Sequence, residues 1–327
     1  MRILLKVFVT VILGLGSLGA LAIAVMGLGD LLLATLMLSL CIWCAGAAWF
    51  LNFRARVSPR TRRATAVLLA AFPLCFAVAW SNGWRVQRSL EQRNWITYQS
   101  VHFRFHYAPD YPRASEIESF ARIHDSAFES ICTYLRVSLS DRTDFFIYEK
   151  LDEGVAIPDW NEIRADDDQS IGHEMTHIIA SHIADGRQKI RLLDEGIATW
   201  LNQSKRTRDH HRAAWEYIQK DSLPPVGELI PGPAFRHHRP PPYFPAASFV
   251  GYLITRFGID AFRRLWTANA AYPELYSMAG DLRLTKYFSW IPSERAHFES
   301  TVMDVYGRTL GDLESEWRQW LDRKYRS

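Results

Sequence analysis

His173-Glu174-Met175-Thr176-His177 constrains this 327-residue chain more than any other stretch. Two imidazoles four positions apart can grip one ion only if the segment is helical, because positions i and i+4 then share a face. Glu174, beside the first imidazole, points at the ion's remaining coordination position, which is the arrangement of a zinc site that activates water. So short a pattern also arises by accident on solvated helix faces, so the expectation rests on the residues downstream of it.

A catalytic zinc usually keeps three protein ligands and a water, so His173 and His177 need a third partner. Residues 192–200 read Leu-Leu-Asp-Glu-Gly-Ile-Ala-Thr-Trp, an apolar helical pattern that carries Asp194 and Glu195. Either carboxylate can serve, and Glu195 has the longer side chain. A pattern with a third histidine six residues after His177 would also need glycine at 180, but the chain has Ile183 and Ala180 at those positions. His182 lies about 140° further round the same helix and faces away, as a surface residue near the helix end.

The pair formed by His-Glu-Met-Thr-His and Asp-Glu-Gly-Ile-Ala-Thr resembles the gluzincin metallopeptidases, and within them the peptidase MA-like domains related to membrane alanyl aminopeptidases and thermolysin. The likeness covers roughly residues 96–327 and includes the C-terminal pattern Gly311-Asp312-Leu313-Glu314-x-Glu316-Trp317. It implies zinc as cofactor, Glu195 rather than Asp194 as third ligand, and hydrolysis of peptide bonds. It also implies an oxyanion-stabilising hydroxyl at Tyr243, ahead of the small residues Ala246, Ala247 and Ser248. His237 and His238 are alternative donors in the same loop. In gluzincins an edge strand binds the extended substrate by backbone pairing, and Gly154-Val155-Ala156-Ile157 is placed for that job.

Chemically, zinc brings a bound water toward neutral acidity, and Glu174 can take its proton and later pass it to the leaving amine. A histidine ligand needs an oxygen to receive its other ring nitrogen, and Asp194 or Thr199 can supply that support behind the ligands. Thr199, one turn beyond Glu195, fits an ordinary helix-surface position better than that supporting role. An acidic motif that would hold a substrate's free amine has no convincing equivalent here, with Glu153 and Glu162 only loose candidates. Aminopeptidase and endopeptidase action both stay open. The alternative function is a catalytically silent, peptidase-like binding or sensory module at the membrane, and retention of Glu174 counts against it.

Residues 3–27, 31–52 and 64–80 are nearly uninterrupted apolar runs. Each approaches the ~20 residues that cross a bilayer core. They imply a membrane anchor over residues 1–95 with three transmembrane helices, and the lipid bilayer as a partner. Arg54, Arg56, Arg60, Arg62 and Arg63 fall between the second and third runs, so the positive-inside rule puts that loop in the cytoplasm. The expected localisation is therefore a multi-pass protein of the cell membrane with an extracytoplasmic catalytic domain. An intramembrane protease is excluded, because Asp166, Asp167 and Asp168 run up to the histidine motif.

Charge divides the chain at the same place. Residues 1–95 hold 10 Lys/Arg and 2 Asp/Glu of the 38 and 35 in the chain, leaving 28 and 33 for residues 96–327, so the two parts carry +8 and −5. The net +3 thus belongs to the first part, and nothing in the second suggests nucleic acid. Cys132 is the only cysteine of residues 96–327, so no disulfide forms within them.

Val101, Phe103, Phe105 and Tyr107 alternate with His102, Arg104 and His106 and predict a strand, residues 144–148 predict another, and the spacing over 114–136 predicts a helix. Helices are expected at 191–203, 207–221, 246–257, 259–268 and 309–325, with the Pro-rich stretch 231–245 extended between them. The fold class expected is α+β: an N-terminal three-helix transmembrane region, then a gluzincin-type metallopeptidase domain at 96–327 with a small sheet, an active-site helix and a mainly helical lobe.

Overall fold

Alternation of apolar and polar side chains puts Phe103, Phe105 and Tyr107 on one face of a strand and Arg104 and His106 on the other, and the sheet is built on that division. The computed structural model describes residues 92–151, 154–166, 171–184, 188, 190–205, 209–272 and 293–326. The chain divides into two units, residues 1–94 and 95–327, and the second holds the sheet and the helices around it.

Five strands form one mixed sheet: β1 (Ile96–Gln99), β2 (Phe103–Tyr107), β3 (Thr143–Tyr148), β4 (Val155–Ile157) and β5 (Glu162–Asp166), in the order β1-β2-β3-β5-β4. β2, β3 and β5 run parallel, whereas β1 and β4 are antiparallel to their neighbours at the two edges. The register sets Phe105 opposite Phe145, and Phe145 opposite Ile163. One face of the sheet is therefore continuous and apolar. Helix α1 (Ile117–Leu135) covers that face, with Phe128 edge-on to Phe103 at 5.4 Å. The other face mixes charged side chains with Phe146 and Tyr148. There Asp144 lies directly across from Arg104, which grips it with two hydrogen bonds of 2.7 and 2.6 Å, and His106 Nε2 lies 2.8 Å from the same carboxylate.

Beyond the sheet the chain is helical: α2 (His173–Ser181), α3 (Arg191–Trp200), α4 (His210–Gln219), α5 (Val226–Leu229), α6 (Gly232–His237), α7 (Tyr243–Phe257), α8 (Ile259–Ala270), α9 (Glu294–Tyr306) and α10 (Leu310–Tyr325). α7 is buried on nearly all sides and packs most extensively on α3. Trp317 of α10 closes the core against Phe249 of α7. The Pro-rich stretch is not wholly extended as expected. α6 forms inside it and α7 begins at Tyr243, because Pro233 and Pro245 fall in first turns, where a helix needs no donor from them.

Among the described residues no helix is long and apolar enough to cross a membrane. α1 has the length, at 19 residues, but carries Asp125 and the exposed Glu118, Arg122 and Glu129. The expected fold class, an α+β chain led by a three-helix transmembrane region, is thereby corrected to a helix-rich fold with a small mixed sheet. The multi-pass membrane localisation is corrected with it. The three runs at 3–27, 31–52 and 64–80 lie outside the described residues.

Partial burial alone would raise the Asp144 pKa, but the Arg104 and His106 contacts win and hold it down to about 2. A carboxyl depressed in the fold adds stability above its unfolded pKa of about 3.9 and loses it as pH falls toward the folded value. Asp144→Asn is therefore expected to unfold at lower urea concentration than the parent near neutrality, with the gap closing between about pH 4 and pH 2. A gap that stays constant across that range would show that the Arg104 and His106 contacts do not depress Asp144.

Candidate metal centre

Helix α2 is nine residues long and buries Met175, Thr176, Ile178, Ile179 and Ala180, which leaves His173, Glu174 and His177 on the side that is only partly covered. Thr176 ties the start of the helix by donating its hydroxyl to the Gly172 carbonyl at 2.6 Å. α3 lies against α2 and turns Glu195 toward the same face.

The three side chains converge. His173 Nε2 lies 3.4 Å and His177 Nε2 3.7 Å from Glu195 Oε2, and the two rings stand nearly perpendicular with centroids 5.0 Å apart. One ligand atom from each of His173, His177 and Glu195 falls within 4.8 Å of the others, so this group could hold a metal ion. Glu195 is buried to 8% exposure. Its other oxygen, Oε1, accepts a hydrogen bond from Arg191 Nη1 at 2.8 Å.

Asp194 meets His177 from the opposite side of the ring, with Oδ1 2.9 Å from Nδ1. The two adjacent carboxylates of α3 thus divide their work. Glu195 faces both Nε2 atoms, whereas Asp194 takes the ring nitrogen that points away from them. Burial alone would drive the proton off His177, but the charges of Asp194, Glu195 and Glu174 overcome it and push the pKa up to about 10. Burial would likewise raise Glu195, and the hydrogen bond to His173 with the nearby charges of His177 and Arg191 lowers it instead. Both directions describe one field: the pocket favours positive charge.

Glu174 stands next to His173 and is half-buried. Thr199 is buried at 3%, so the helix-surface alternative for it is corrected. His182 caps the end of α2 and is exposed. Tyr243 is the first residue of α7, 40% exposed, with its ring edge-on to Phe235 at 5.8 Å. One and two turns further, Ala246 and Val250 lie on Gly196 of α3, which places the start of α7 beside the helix that carries Glu195. His237 is exposed, and His238 donates Nδ1–H to the Pro240 carbonyl at 2.7 Å. Of the two loose candidates for amine capture, Glu162 is on β5 and paired with Arg164 at 2.6 Å, and Glu153 lies outside the described residues. Arg191 belongs to no motif. Its only signal in the sequence is a position four residues before Glu195, which puts both on one helix face.

No protein-family model and no curated protein matches this chain.

Close approach of α3 and α7 fixes where Glu195 sits, and Gly196 permits it. A Cβ there would come within 2.7 Å of Val250 Cγ2 and 3.0 Å of the Ala246 carbonyl oxygen. Overpacking of this kind typically costs about 1–3 kcal/mol. Gly196→Ala should therefore lower the unfolding free energy by that amount, moving the urea midpoint down at an unchanged slope. An unmoved midpoint would mean the helices are not in contact at Gly196.

Proposed function

We propose that this chain is a zinc-dependent metallopeptidase that hydrolyses peptide bonds, with His173, His177 and Glu195 as ligands and Glu174 as general base. The observation that carries the proposal is the convergence of both Nε2 atoms on a single oxygen of Glu195, with Glu174 beside them. Ligand atoms about 2.1 Å from one zinc at tetrahedral angles lie about 3.4 Å from each other, close to the separations seen here. Two imidazoles and a carboxylate, with no thiolate, are the ligand types of a catalytic zinc site that keeps a position for water. The resemblance to gluzincins in both helices supports the same reading.

Zinc, when bound, supplies the Lewis acidity that makes a water acidic near neutral pH. The remaining work falls to the chain. Asp194 accepts the Nδ1 proton of His177, which fixes the tautomer and leaves Nε2 as the ligand atom. Glu174 takes the proton of the attacking water and delivers it to the departing amine. Tyr243 donates its hydroxyl to the substrate carbonyl oxygen as negative charge develops on it.

The sheet supplies a place for the substrate. β4 is an edge strand packed near α2, and its outer residue Val155 is exposed. An extended peptide can add to such an edge by backbone hydrogen bonds and so lie across the site. This favours a peptide over a small ester or amide as the substrate.

Glu174→Gln keeps the ligands and removes the base. The full chain carrying it should bind zinc in stoichiometric amount while peptide cleavage falls by about 10²–10⁴-fold. Unchanged cleavage would refute the mechanism, and a parent chain that holds zinc but cleaves nothing would indicate a silent binding module. Tyr243→Phe should retain zinc and lose about 10²-fold in kcat with a smaller change in KM. A parental kcat would return Tyr243 to a packing role.

A further inference from the structure

Glu195 is held at both ends. Oε2 faces the two histidines, and Oε1 accepts the Arg191 guanidinium at 2.8 Å. A carboxylate can bind a metal through one oxygen or through both. A charge-assisted hydrogen bond on Oε1 makes that oxygen the poorer ligand and fixes the rotation of the group. Resting on the metallopeptidase reading of the same site, we propose that Arg191 is a positioning residue that holds Glu195 to a single-oxygen grip on the metal.

Helix stability does not account for an arginine at this position. Arg191 is the first residue of α3, where the helix dipole favours anions over cations. Arginine four residues before glutamate is also the less favourable order for an ion pair along a helix. The contact with Glu195 offsets both disadvantages and gives the residue a reason to be there. Asp194 performs the corresponding task for His177 from the same helix. α3 thus carries one ligand and the clamps of two, which couples the geometry of the whole centre to the position of a single helix.

Arg191 can be changed without opening the core, because its side chain is 39% exposed. Arg191→Met retains an apolar stem and removes every donor. Arg191→Lys restores a charged donor without the planar fork. The zinc dissociation constant of the full chain, measured against a competing chelator, should rise about 10–100-fold in Arg191→Met, the usual consequence of losing a group that orients a ligand. Arg191→Lys should recover part of it. With cobalt(II) in place of zinc, the visible bands of Arg191→Met should weaken toward those of a five-coordinate ion as Oε1 joins Oε2, a change that a purely structural role would not produce. A parental zinc affinity with an unchanged cobalt spectrum in Arg191→Met would overturn the inference and leave the metallopeptidase reading standing. Failure of Arg191→Lys to recover any affinity would overturn it too, since the loss would then come from repacking. A parent chain that binds neither zinc nor cobalt would defeat the metallopeptidase reading itself.

Discussion

An ionised carboxylate buried as deeply as Glu195 is costly unless positive charge and hydrogen bonds surround it, and the centre is organised around that constraint. His173 and His177 face one oxygen, Arg191 holds the other, and Asp194 in turn holds His177. Each group makes its neighbour's charge tolerable. Removing any one of them leaves a buried charge short of a partner, which explains why the elements that carry them must meet so closely. α3 can approach α7 only because Gly196 has no side chain, and α2 is seated by the buried row from Met175 to Ala180.

The two halves of the domain answer different needs. The sheet and α1 form an aromatic core in which Phe103, Phe105, Phe128 and Phe145 pack edge to face or tilted, and this provides a rigid wall beside α2. The helices after α2 bring Glu195 and the start of α7. Because the two histidines come from α2, and Glu195, Asp194 and Arg191 from α3, the site depends on the α2–α3 contact more than on any loop. Two acidic residues from the last helices serve the same end. Glu294 accepts the Gly232 N–H and Glu314 the Val226 N–H, capping the short helices that lead to Tyr243.

Much of this was legible in the residues, and where it was not the reasons are physical. β2 follows from strict alternation, β3 from a short run of aromatic and β-branched residues, and α3 and α10 from apolar residues at helical spacing. α9 was not expected, because its buried positions include Glu294 and Thr301 beside Phe298 and Val302 and so draw no clean apolar stripe. α6 hides among prolines that look like helix breakers until their place in a first turn is known. β1 is mostly exposed and owes its strand conformation to pairing with β2. At the centre, His173, Glu174 and His177 declare themselves by spacing, whereas spacing leaves the neighbours Asp194 and Glu195 open, the family resemblance prefers Glu195 as ligand, and the fold sets the two on opposite nitrogens of the His177 ring. Arg191 needed the structure altogether, since an ion pair between residues four apart is common on helices and says nothing of a metal. The apolar runs before residue 95 led to a membrane expectation that the described helices do not support.

The central claim is that His173, His177 and Glu195 bind one zinc ion together, and zinc-edge X-ray absorption on the full chain purified with zinc tests it most directly. The account predicts a first shell of nitrogen and oxygen only, at about 2.0–2.2 Å, containing two imidazoles. A shell with sulfur at about 2.3 Å, a single imidazole, or no bound zinc would contradict it.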